Sequence, residues 1–61
     1  MLLVKQMSNQ ELSFEECFVH TMLEREKNEV YRAVYEERYS LILEEVKNRE
    51  NEYGLVWRLM D

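Results

Sequence analysis

From Val30 onward the apolar and aromatic residues recur in alternating steps of four and three. Tyr35, Tyr39, Ile42, Val46, Arg49, Tyr53, Val56 and Met60 share one stripe, and only Arg49 interrupts its apolar character. Steps of this kind are the heptad spacing of a coiled-coil seam. They predict a helix over about 29–60, roughly 45 Å long at 1.5 Å per residue. Upstream, Ser13-Phe14-Glu15-Glu16 reads as a capping box: the Ser13 hydroxyl would accept from the Glu16 backbone, the Glu16 carboxylate would return to the cap, and Leu12 and Cys17 would staple the entry. A first helix is therefore expected over about 13–27, with Phe14, Phe18 and Met22 repeating every four residues and Val19 and Leu23 alongside. The polar run Glu24 to Glu29 is the place for a turn, with Asn28 ending the first helix or capping the second. One helix running through that stretch is the alternative, because neither glycine nor proline marks the turn.

The fold class is thus all-α: a single domain over 1–61, with residues 1–11 as an N-terminal segment ahead of a hairpin of one short and one long helix. Absence of proline and the presence of one glycine leave almost no punctuation for strands. A chain this small buries only about 60% of the surface its unfolded form exposes. Chains of this size add disulfides, a metal or a second copy of themselves. A single cysteine, Cys17, and a single histidine, His20, do not supply the first two. The short first helix would cover less than half of the long one. The expected solution is a homodimeric four-helix bundle whose seam is Tyr35, Tyr39, Ile42, Val46, Arg49, Val56 and Met60.

Charge narrows the partners. Thirteen acidic against eight basic residues give a net charge of −5, which opposes binding to nucleic acid and to anionic membranes. The opening Met1-Leu2-Leu3-Val4 is broken at once by Lys5, too short for the ~20 apolar residues of a membrane span or the roughly 7–15 of a signal peptide. A cytoplasmic protein that binds other proteins is the expectation.

No residue set points to catalysis. Glu16, His20 and Glu24 are four-step neighbours and Cys17 lies three before His20, but ligands from so short a stretch leave a metal open, and no Glu-x-x-His pair is present. A nucleophile would lack the glycine-rich turn that exposes it and forms an oxyanion hole. Neither enzyme activity nor a cofactor is expected. The C-terminal end is more telling: Leu55, Val56, Trp57, Leu59 and Met60 would point all round a helix, with only Arg58 polar. Val56 and Met60 continue the seam, whereas Leu55 and Leu59 lie off it and need another cover. Trp57 and Arg58 are residue types that dominate binding energy, so they are the first hot-spot candidates.

Two segments carry a family resemblance: Leu12-Ser13-Phe14-Glu15-Glu16-Cys17-Phe18 and Arg49-Glu50-Asn51-Glu52-Tyr53, with Phe18 and Arg49 separated by 31 positions. Together they resemble the NblA family, the small phycobilisome-degradation proteins of cyanobacteria and some cyanophages. Ile42-Leu43-Glu44-Glu45 and Arg58 also fall where similar residues recur. Two positions depart from that pattern. Val30-Tyr31-Arg32-Ala33 stands where a second Leu-Ser-x-Glu-like cap is usual, and Gly54 stands where a polar residue is usual.

The resemblance implies a homodimeric helical hairpin without enzymatic activity. It would serve as a proteolysis adaptor in nutrient starvation, associated with phycobilisomes in the cyanobacterial cytosol or plastid stroma. Phycobiliprotein subunits would be bound through Tyr53, Leu55, Trp57, Arg58 and Leu59. A ClpC-type chaperone of a Clp protease would be engaged through the segment before the cap, with Leu2, Leu3 and Val4 as its apolar handle. Two readings of another class stand beside it. One is a small acidic phage or plasmid inhibitor that presents Glu36-Glu37 and Glu44-Glu45 to a host enzyme. The other is a plain coiled-coil assembly factor.

Overall fold

Ser8, five residues ahead of the expected cap, starts the first helix. The structure, a computed structural model, describes residues 3–60. Helix α1 spans Asn9–Arg25. The Ser8 hydroxyl accepts from the Glu11 backbone at 3.1 Å, and the Glu11 carboxylate accepts from the Ser8 backbone at 2.9 Å. Two of the orphan donors at the helix start are satisfied by this reciprocal pair. Ser8-Asn9-Gln10-Glu11 has the same spacing as Ser13-Phe14-Glu15-Glu16, so the expected boundary is corrected to the earlier of two equivalent signals. Packing chooses between them. Starting at Asn9 keeps Leu12 inside the helix, where it is fully buried seven residues before Val19 on the same face.

Helix α1 ends at Arg25, and residues 26–28 form the turn. Asn28 caps helix α2, Glu29–Tyr53, through its side-chain oxygen, which accepts from the Val30 backbone at 2.9 Å. The hairpin predicted from the sequence is present, and among the described residues no strand occurs. Ile42 and Val46 of α2 lie buried with Leu12 and Val19 of α1, and Tyr35 and Tyr39 pack against this cluster.

The second helix does not reach residue 60. Gly54 closes it with φ 78° and ψ −175°, a conformation essentially reserved for glycine, while its N–H still donates to the Glu50 carbonyl at 2.8 Å. The chain reverses there into a short 3-10 helix, Leu55–Leu59, which returns over the hairpin and buries Trp57 completely. A 3-10 turn at the other terminus, Val4–Gln6, covers the same end and buries Val4 and Met7. The stripe expected to need a second subunit is therefore covered within the chain. Tyr35, Tyr39, Ile42, Val46 and Arg49 face inward, but their cover is α1 and the two terminal turns. Val56 and Met60, turned away at Gly54, leave the stripe and are 55% and 40% exposed.

Ser8→Ala should cost about 1 kcal/mol of unfolding free energy, as loss of a cap does, and should lower helical content more than Ser13→Ala; urea titrations followed by circular dichroism decide it. Hydrogen bonds from the Ser8 backbone and, next, from its hydroxyl hold the Glu11 carboxyl below its ordinary pKa. A carboxylate depressed on folding stabilises above its unfolded pKa of about 4.3 and loses that contribution as pH falls through the lowered value. Glu11→Gln should accordingly flatten the acid limb of the stability curve in that window and leave the neutral region unchanged in slope. Gly54→Ala should destabilise by about 1–3 kcal/mol for conformational reasons alone, since an added Cβ meets nothing within 4 Å.

Candidate functional site

The end of the hairpin that holds both terminal turns is organised by Arg49, which the sequence shows only as a break in an apolar stripe. Arg49 is 8% exposed, and its guanidinium has three partners: the Glu45 carboxylate at 2.9 Å, the Asn9 side-chain oxygen at 2.7 Å and the Met7 carbonyl at 2.7 Å. Glu45 lies one turn back on α2, so the ion pair is set by helical spacing. Asn9 and Met7 come from the start of α1 and the loop before it, more than 40 positions away. The Asn9 amide in turn donates to the Met60 carbonyl at 3.1 Å. One polar clasp thus ties the N-terminal turn, α1, α2 and the C-terminal turn together.

Trp57 completes the clasp from the apolar side. The Arg49 guanidinium lies 5.9 Å from its ring centroid and that of Arg58 lies 4.6 Å away, within the range of cation–π attraction. Its ring nitrogen is buried and meets no acceptor among the described residues. Arg58 reaches across to α1, donating to Glu16 at 2.8 Å and to Ser13 at 3.3 Å. Burial corrects the expected role of Trp57, which is a core anchor with no surface to offer. Arg58 contacts α1 and the indole while its side chain stays 39% exposed. The serine of the expected cap receives the C-terminal segment instead.

What faces outward is the other side of the same turn. Leu55 is 79% exposed, Leu59 88% and Tyr53 45%. Of the proposed cargo contacts, Tyr53, Leu55, Arg58 and Leu59 therefore stand at the surface, with Trp57 buried on the inner side of the turn. Of the proposed chaperone contacts, Leu3 is exposed and Val4 is buried beneath it, while Leu2 lies outside the described residues. The N-terminal segment is a packed turn whose one outward apolar side chain among the described residues is Leu3.

Of the remaining chemistry-bearing side chains, His20 lies 3.4 Å from the Glu24 carboxylate and 5.7 Å from the Tyr39 ring, and Cys17 is an exposed free thiol. Among the described residues no group of three or more histidine, cysteine or acidic side chains is placed to hold a metal ion. No described helix is long and apolar enough to cross a membrane. Compared with family models, curated proteins and solved structures, the chain finds no match.

Removing the anchor should be costly. Trp57→Ala should destabilise the fold by about 3–5 kcal/mol, the usual range for a buried aromatic truncated to alanine. Trp57→Phe should retain most of the stability, because the lost N–H has no partner among the described residues. Arg49→Ala should cost roughly 3–5 kcal/mol, since it strands Glu45 and two oxygens at a buried site. Thermal melts followed by far-ultraviolet circular dichroism rank the three, since two of the variants lack the single tryptophan.

Proposed function

We propose that this chain is a non-enzymatic protein-binding adaptor, working as a homodimer, that docks its cargo on the outer ridge of the C-terminal turn. The observation that carries this reading is the pairing of the most exposed apolar side chains, Leu55 and Leu59, with a fully buried Trp57 between them in sequence. Two exposed leucines on a mobile tail would lose much of their contact energy to ordering on binding. On a turn already anchored by Trp57, Arg58 and the Asn9–Met60 bond, that ordering is complete before the partner arrives.

The cargo we propose is a phycobiliprotein subunit, delivered to a ClpC-type chaperone. Support for this identity is the resemblance of Leu12-Ser13-Phe14-Glu15-Glu16-Cys17-Phe18 and Arg49-Glu50-Asn51-Glu52-Tyr53 to the NblA family. Arg49 and Ser13, one from each segment, are both used in closing the clasped end, the first against Asn9 and the second against Arg58. In this reading the paired motifs shape the end of the molecule that presents the ridge. The adaptor would insert Leu55 and Leu59 between phycobiliprotein subunits and compete with the contacts that hold the light-harvesting assembly together. Leu3, at the same end, would face the chaperone.

Capture of purified phycocyanin by the immobilised protein tests the reading at low and high salt. Expected is binding that survives high salt and falls by about tenfold or more in Leu59→Glu, as removal of a central apolar contact requires. The variant's circular dichroism should be unchanged, because Leu59 touches little within the chain. Absence of capture at either salt overturns the phycobiliprotein assignment. Binding that collapses with salt and ignores Leu59→Glu would transfer the function to the carboxylates of α2, the acidic inhibitor reading.

A further inference from the structure

Between Glu29 and Leu59 only Gly54 stands outside a helix. Its N–H still belongs to the α2 ladder, donating to the Glu50 carbonyl at 2.8 Å, so α2 gives way to the returning strap through the backbone angles of this one residue. The residues beyond it keep the register of α2. Tyr53, Val56 and Met60 continue the three-and-four spacing of the inward stripe, and a 3-10 helix has backbone angles close to the α-helical ones. Helical angles at Gly54 would therefore prolong α2, in phase, to the end of the strap, against no more than the helix penalty of a single glycine.

The closed strap balances opposing terms. Burial of Trp57 holds it shut, aided by the Arg58 guanidinium over the indole and by three hydrogen bonds, from Arg58 to Glu16 and Ser13 and from Asn9 to the Met60 carbonyl. All three hydrogen bonds lie at the surface, where water competes for the same partners. Against closure, Leu55, Val56 and Leu59 remain exposed in the shut form. Five residues is long for a 3-10 run, and its bonds from Trp57 to Gly54 and from Met60 to Trp57 measure 3.3 and 3.1 Å. The buried indole N–H meets no acceptor among the described residues, a cost that contact with water removes.

We propose that Leu55–Leu59 is a latch hinged at Gly54, which swings out as a unit while α1 and α2 stay folded, extending α2 and withdrawing Trp57 from Leu12, Ile42 and Val46. The closed form is the ground state of this two-state element and the extended form its minor state. Only the closed form sets Leu55 and Leu59 as a ridge at the clasped end, so opening switches that ridge off. This consequence rests on the proposed docking site, whereas the motion rests on the fold alone.

Hydrogen exchange of the full chain, followed by nuclear magnetic resonance, reads the motion. The Trp57 indole N–H is expected to exchange at least about tenfold faster than the backbone N–H groups of Ile42 and Val46, which wait for global unfolding. The Gly54 N–H should exchange as slowly as those core groups, because it keeps its bond to Glu50 in both forms. Gly54→Ala, strained in the closed turn, should raise the open fraction by about tenfold or more. Its Trp57 emission should move to longer wavelength and be quenched more strongly by acrylamide, with far-ultraviolet helical signal no weaker than that of the unaltered chain. Indole exchange no faster than that of Ile42 and Val46 overturns the proposal. So does rapid exchange at Gly54, which would mean that the strap unravels, and so does a Gly54→Ala chain whose tryptophan stays shielded or emerges only with loss of helix. No cargo enters either measurement, so failure here is separate from failure of phycocyanin capture.

Discussion

The hydrogen bonds of Arg49 are the constraint on which the rest of this structure depends. A guanidinium so nearly excluded from water is tolerated only when its donors are satisfied, and here a carboxylate, an amide oxygen and a main-chain carbonyl satisfy it from three separate parts of the chain. Those partners fix where α1 begins relative to α2 and where the N-terminal turn lies. Through Asn9 they also reach the carbonyl of Met60. A hairpin of two helices has no intrinsic reason to close its open end. The clasp supplies one, and the indole of Trp57 fills the space beneath it.

Closure depends equally on the glycine at position 54. An L-residue is strained in the conformation that the turn requires, whereas a continuing helix would carry Trp57 away from the core of Leu12, Ile42 and Val46. The positive φ of Gly54 reverses the chain and sends the next residues back across the hairpin. The price is an outer surface on the returning segment: a five-residue 3-10 helix has an inside and an outside, and with Trp57 inside, Leu55 and Leu59 stand outside. Exposure of these leucines is thus a geometric consequence of burying the tryptophan, and it yields a ridge held rigid from beneath.

Two apolar surfaces with different characters result. The ridge is narrow, convex and built on the clasp. The flank with Phe14, Phe18, Val34 and Leu41 is broad, grooved and built on helical surfaces, with one ion pair near its centre.

The sequence by itself determined the elements governed by local rules. Heptad steps through Tyr35, Tyr39, Ile42, Val46 and Arg49 specify a helix and its inward face, and Asn28 marks the start of that helix by capping chemistry that needs no tertiary partner. The polar run before Asn28 and the lack of strand punctuation pointed to an all-α hairpin, with one continuous helix as the alternative. Local rules could not choose between Ser8 and Ser13 as the first cap, because both have a glutamate three residues on. The choice was made by Leu12 finding the core and Asn9 finding Arg49, 40 positions away. Nor could periodicity reveal that the seam would be covered from within. A heptad stripe states that a face needs burial, but what buries it is a matter of three-dimensional closure, decided here by one backbone conformation at Gly54 and the volume of one indole. The same closure turned Trp57 inward and left Leu55 and Leu59 outside, which residue type alone would have ranked the other way.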